Sequence, residues 1–200
     1  VTDGDGWLIS LGIDAPDIVA AYRGIEAGRF VLVRREVRRR SGPGSAERTG
    51  RQLAAIASAM VATIGRLPDR AFAMPGGEAD WNVAQAVGHD ADARAGLTLA
   101  AALAAQGRFP PDARPVVPGV PGSPAALRDE LIARIEKSQR LVERAVGRVV
   151  GHEGDACPLE HPLVGRLRCG EWLLFAGVHD LMHLDQLHRI LARIGDEAVA

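Results

Sequence analysis

A chain of 200 residues, 47% of them hydrophobic, can bury one sizeable core but not comfortably two. Its 24 basic and 25 acidic side chains leave a net charge of −1, so no overall field draws in nucleic acid or an anionic membrane, and 4% aromatic content argues against a platform for stacking bases. Cys157 and Cys169 are too few for a disulfide scaffold, no stretch approaches the roughly 20 apolar residues of a membrane span, and the first residues lack a basic signal-peptide start, so a cytoplasmic protein with a small-molecule substrate is expected.

Residues 1–44 differ from the rest: they begin acidic, pass through the basic run Arg34-Arg35-Glu36-Val37-Arg38-Arg39-Arg40 and end in Ser41-Gly42-Pro43-Gly44, which reads as a linker. The segment is taken as an N-terminal extension of unassigned role, its basic run as a solvated face, and Val31 to Val33 as a short strand at most. Residues 45–196 read as one helical unit.

The first helix of that unit carries Leu53, Ile56, Ala57, Met60, Ile64 and Leu67 on one face. Thr49 and Gln52 resemble a capping box at its start, and Pro68 and Asp69 stop it. A second helix is expected from Asn82, capped with Gln85, with Trp81 anchoring its start and Ala86, His89, Ala93, Leu97 and Ala100 on its inner face. It ends near Gly107, and the proline-rich stretch Phe109 to Gly122 follows as a long crossover loop. Ser123-Pro124 opens the third helix, striped by Leu127, Leu131, Ile135, Val142 and Val146. A loop with His152, Cys157, Pro158, His161 and Pro162 leads to the last helix, from about Gly170 to Ile194. Four amphipathic helices without convincing strand alternation or internal repeat predict an all-α four-helix bundle with a long crossover between helices two and three.

Along a helix, four residues advance the chain about 6 Å and turn it about 40°, so His179 and His183 project from nearly one line. They share that face with Trp172, Ala176 and Ile190, and two buried imidazoles need partners for their nitrogens. A shared metal ion provides one, with His89 on the second helix as third ligand; the competing reading is core histidines bonded to backbone or carboxylates. Three imidazoles leave a tetrahedral ion one open position, which favours a catalytic zinc over a structural one. Helical geometry turns His188 away from the pair and toward solvent, and His152 and His161 lie in the loop.

His179-Asp180-Leu181-Met182-His183 approaches the HExxH zinc-protease motif, but Asp replaces Glu and Arg189 stands where the extended motif has its third histidine, so a protease is disfavoured. Asp180 and Asp92 are candidates for orienting the imidazoles or for plain surface carboxylates. Cys169 starts the last helix, where the dipole favours a thiolate, yet with no base in view it reads as a small packing residue.

The run Trp81-Asn82-Val83-Ala84-Gln85-Ala86-Val87-Gly88-His89, the stretch His161-Pro162-Leu163-Val164-Gly165, the pair Glu171-Trp172 and the segment His179-Asp180-Leu181-Met182-His183-Leu184-Asp185-Gln186-Leu187 together resemble the DinB-like superfamily. The resemblance spans about Thr49 to Ile194 and implies a metal-binding four-helix bundle with His89, His179 and His183 as ligands. Arg168 stands where the family often has a capping Thr or Ser. Members of the family bind zinc, nickel or iron, and characterised ones are transferases and isomerases that use mycothiol, bacillithiol or glutathione. The expectation is therefore a divalent-metal protein, with zinc the first choice, that activates a low-molecular-weight thiol for transfer to or isomerisation of a small electrophile. The alternatives are a hydrolase using metal-bound water and a non-catalytic, stress-related metal-binding module. No residue is assigned a catalytic role, and an apolar outer helix face would allow a homodimer.

Overall fold

The apolar residues recurring three and four apart coil into helices in the computed structural model, which describes residues 6–77, 80–113 and 119–197. In chain order the elements are α1 (Gly6–Asp14), α2 (Pro16–Glu26), α3 (Phe30–Arg40), α4 (Ala46–Arg66), a 3-10 turn (Asp69–Ala73), α5 (Val83–Ala105), α6 (Arg128–Val149), β1 (Ala156–His161), β2 (Gly165–Arg168) and α7 (Cys169–Glu197). Helices α4 to α7 form the expected bundle, in which α4 and α5 each pack against both α6 and α7. No helix among the described residues is long and apolar enough to cross a membrane.

The N-terminal residues are helical, so the short strand expected at Val31 to Val33 does not exist: Val33 is fully buried within α3. Helices α2 and α3 lie against α7, and Ile18, Val19, Tyr22, Val33 and Val37 join the same hydrophobic core as Leu53, Met60, Trp172 and Leu184. The closest approach is at Gly177 of α7, where an added Cβ would stand 2.5 Å from Ile18 Cδ1. Gln52 ties the segment down from α4. Its side-chain oxygen accepts from the Asp17 and Ile18 amides at 2.9 and 3.2 Å, and its side-chain nitrogen donates to Asp17 Oδ2. The capping box expected from Thr49 and Gln52 is thereby overturned, since α4 begins three residues earlier at Ala46 and Gln52 serves α2 instead.

At α5 the box does form: Asn82 Oδ1 accepts from the Gln85 amide at 2.9 Å, and Gln85 Oε1 accepts from the Asn82 amide at 3.1 Å. Helix α6 starts at Arg128, not at Ser123-Pro124, which sit in a turn closed by the Ala126 amide on the Ser123 carbonyl. Leu127, expected on the inner stripe, is consequently exposed, while Leu131, Ile135 and Val142 are buried. The loop expected before the last helix contains an antiparallel hairpin, β1 paired with β2, which turns Cys157 and Leu159 inward. Glu171 Oε2 accepts from the Arg168 amide at 2.9 Å, the half of a capping box that needs no hydroxyl at residue 168.

Candidate metal centre

Two helices converge on one point. Helix α7 carries His179 and His183 a turn apart, and α5 brings His89 across from them. One ring nitrogen from each of the three lies within 4.8 Å of the others. Ring centroids are 5.2 Å apart for His89 and His179, 5.4 Å for His89 and His183, and 4.7 Å for His179 and His183.

In each ring Nδ1 faces an oxygen. His89 Nδ1 is 2.9 Å from the Val120 carbonyl, His183 Nδ1 is 2.9 Å from Gln186 Oε1, and His179 Nδ1 is 3.4 Å from Asp90 Oδ1. An Nδ1 proton pointed at an acceptor leaves the lone pair on Nε2, so the ring nitrogens offered to an ion are the three Nε2 atoms. The Val120 carbonyl reaches His89 because the crossover loop touches α5 backbone to backbone. A Cβ on Gly88 would meet Gly122 Cα at 2.9 Å, and the Gly122 amide donates to the Gln85 carbonyl at 3.0 Å. Only glycine at both positions permits this approach. Residues 114–118 of the loop lie outside the described residues.

Behind His179 is a buried charged chain. Asp90 and Asp180 are each about 1% exposed, and Arg94, also 1% exposed, places Nε 3.0 Å from Asp180 Oδ2. Burial pushes Asp180 well above the usual carboxylate range, and the neighbouring Asp90 adds to the rise against the pull of Arg94. Asp90 also feels burial upward, but His179, His183 and Arg94 outweigh it and hold its carboxyl below its ordinary value. The two neighbouring carboxyls are thus pushed in opposite directions, Asp90 toward the anion and Asp180 toward the protonated acid. Burial lowers His179 despite Asp90 beside it, which keeps the imidazole neutral and able to ligate.

A second group, Asp90, His179 and Asp180, also lies within 4.8 Å. The Arg94 guanidinium against Asp180 disfavours a cation there. No arginine or lysine lines the triad's pocket among the described residues. His179 Nδ1 and both oxygens of Asp90 and of Asp180 are buried without a well-aligned hydrogen bond, a costly arrangement that a cation next to His179 offsets. The residues present therefore fit a divalent ion, and the three buried imidazoles can hold one.

The remaining candidates divide clearly. Asp92 is exposed and pairs with Arg134 at 2.6 Å, so of the two carboxylates singled out, only Asp180 is near the site, and it acts through Asp90 and not on an imidazole Nδ1. Asp90 joins the site without a motif of its own, its one signal in the sequence being its position directly after His89. His161, expected in a loop, is delivered by the hairpin to the pocket beside the triad, edge-on to Phe175 at 4.9 Å. Burial, with His179 nearby, lowers its pKa to about 4. Its Nδ1 accepts from the Leu163 amide at 3.2 Å, which puts the ring's proton on Nε2. His188 is indeed turned away from the triad, but it does not face solvent: Trp7 of α1 stacks on it at 4.6 Å. His152 is exposed and bonds Asp155. Burial pushes the Cys169 thiol up to about 12, with Cys157 and Asp155 adding to it, in keeping with a packing role.

A family model described as the DinB superfamily matches residues 52–187, more than half of the chain. That span includes His89, Asp90, Arg94, His161, His179, His183 and Gln186 and excludes α1 to α3. No curated protein and no solved structure matches the chain.

Proposed function

The chain belongs to the DinB superfamily, and from that premise we propose that it is a metal-dependent enzyme holding a divalent ion, zinc in the first instance, on His89, His179 and His183. The observation that carries this reading is that one ring nitrogen from each of the three imidazoles lies within 4.8 Å of the others while an oxygen of Val120, Asp90 or Gln186 faces each Nδ1. A bound divalent ion supplies Lewis-acid chemistry, stabilising an anionic oxygen or sulfur at neutral pH. The chain's own groups do the rest. Gln186 Oε1 favours the His183 proton on Nδ1, Asp90 Oδ1 faces His179 Nδ1 at 3.4 Å and favours the same tautomer there, and Phe175 and Leu163 give the pocket apolar walls. His161 Nε2 carries a proton in a ring that lines the same pocket, which suits a neutral donor to substrate.

The finer part of the proposal is the co-substrate: a low-molecular-weight thiol, transferred to or used to isomerise a small electrophile, as the family resemblance implies. Elemental analysis of purified protein tests the metal. His183→Ala is expected to abolish stoichiometric binding while His188→Ala leaves it near wild type, and equal losses would refute the assignment. Zinc-loaded protein mixed with a haloarene or epoxide, with and without mycothiol, bacillithiol or glutathione, tests the thiol. Turnover in water alone would replace it with hydrolysis.

A further inference from the structure

The pocket above the triad has a volume of about 280 Å³, at the small end of the roughly 300–1,000 Å³ typical of ligand sites. Its walls include Ile25, Phe30, Leu97, Leu163, Phe175 and Met182, and no Lys, Arg, Asp or Glu is among the described residues that line it. The polar groups at its base are largely committed: Gln186 Oε1 to His183, and His161 Nδ1 to the Leu163 amide. Away from the triad and an ion held there, a charged group entering here would shed its water and meet no counter-charge among the described lining residues.

Two of the walls come from outside the segment shared with the family. Ile25 lies in the last turn of α2 and Phe30 begins α3, both before residue 52. Their placement is fixed by the corner between the two helices. The Gly28 amide donates to the Ile25 carbonyl at 2.8 Å and the Arg29 amide to the Gly24 carbonyl at 2.9 Å, the paired bonds of a Schellman closure, with Gly28 at φ 65°. Gly24 lies so close to α3 that a Cβ would stand 2.8 Å from the Val33 amide nitrogen. Below the corner, Asp17 accepts from Arg40 and Arg48, each at 2.8 Å.

We propose that this pocket selects an uncharged, apolar small molecule, and that Ile25 and Phe30 of the α2–α3 corner set its size limit. The proposal rests on the functional reading for the identity of the reacting face and adds the substrate class to it. The ionic part of any thiol co-substrate stays outside the pocket.

The probe is 2-naphthol, neutral at pH 7, against the similarly sized anion 2-naphthoate, each titrated into the full chain with chelator and again after zinc loading, with saturation-transfer NMR and equilibrium dialysis as readouts. With chelator present, where the walls alone discriminate, 2-naphthol is expected to bind at least about tenfold more tightly than 2-naphthoate. Ile25→Trp, which fills the pocket, should weaken 2-naphthol by about tenfold or more while zinc stoichiometry and the thermal melt stay at wild-type values. Phe30→Ala serves if that variant does not fold, and should shift preference toward a bulkier phenyl-substituted naphthol. Ile13→Trp, on an exposed position of α1, is the control and should change nothing. Equal binding of the anion in chelator, no binding of 2-naphthol, or indifference of folded pocket variants would overturn the proposal. If zinc fails to bind but the preference and its loss in Ile25→Trp persist, the metal reading falls and the pocket assignment stands.

Discussion

Arg94 is a large side chain with 1% exposure, and its replacement tests whether the buried charges behind His179 act as a unit. Its guanidinium donates to Ser138 Oγ at 3.3 Å, the Leu53 carbonyl at 3.2 Å and Gln139 Oε1 at 3.1 Å, and its Nε stands 3.0 Å from Asp180. Arg94→Met keeps an unbranched stem of similar reach but strips all of these contacts and leaves the Asp90 anion without its buried guanidinium. Removing one member of a buried charged cluster costs about 3–5 kcal/mol. In a domain of this size each kcal/mol lowers the melting temperature by roughly 2–4 °C, so a fall of roughly 6–20 °C is expected. Arg94→Lys, which keeps the charge but not the planar fork, should fall between. Urea unfolding followed by circular dichroism, with chelator present so that metal contributes nothing, is the measurement. An Arg94→Met variant within about 1 kcal/mol of wild type would show that the charges behind His179 are not held as described.

Gly88→Ala is expected to weaken metal binding by about 10–100-fold, because the new Cβ forces Gly122 and with it the Val120 carbonyl away from His89; a competition titration with a chromophoric chelator that gave wild-type affinity would contradict this. Asp17 supplies a pH signature. Burial raises its pKa, but bonds from Gln52, Arg48 and Arg40 outweigh that and depress it below 3.8 in the fold. A depressed carboxylate contributes stability in full above its unfolded value and loses it as pH falls through the folded value. Asp17→Asn should therefore cost about 1–2 kcal/mol at pH 7, with the gap from wild type closing below pH 3.8, as measured by denaturant midpoints across pH.

His179 and His183 were legible because one helix carries both, and helical geometry alone sets their common direction. Asn82 and Gln85 were legible for the same reason: a capping box closes within four residues. Thr49 and Gln52 have that spacing too, but Gln52 is taken by α2, a partner no local pattern reveals. Asp90 was hidden because α5 is buried on almost every side from Val83 to Ala91, so no polar face distinguished inward from outward. His188 was rightly turned from the triad, yet its cover, Trp7, is far away in sequence. The hairpin escaped notice because Cys157 and Leu159 alternate inward over too few residues, with Pro158 between them.

Gly177 lies two residues before His179, and Ile18 of α2 fills the notch its missing side chain leaves. A side chain at 177 would collide with Ile18 and push α2 away from the turn that bears His179, so the seat of the N-terminal segment depends on a glycine inside the shared bundle.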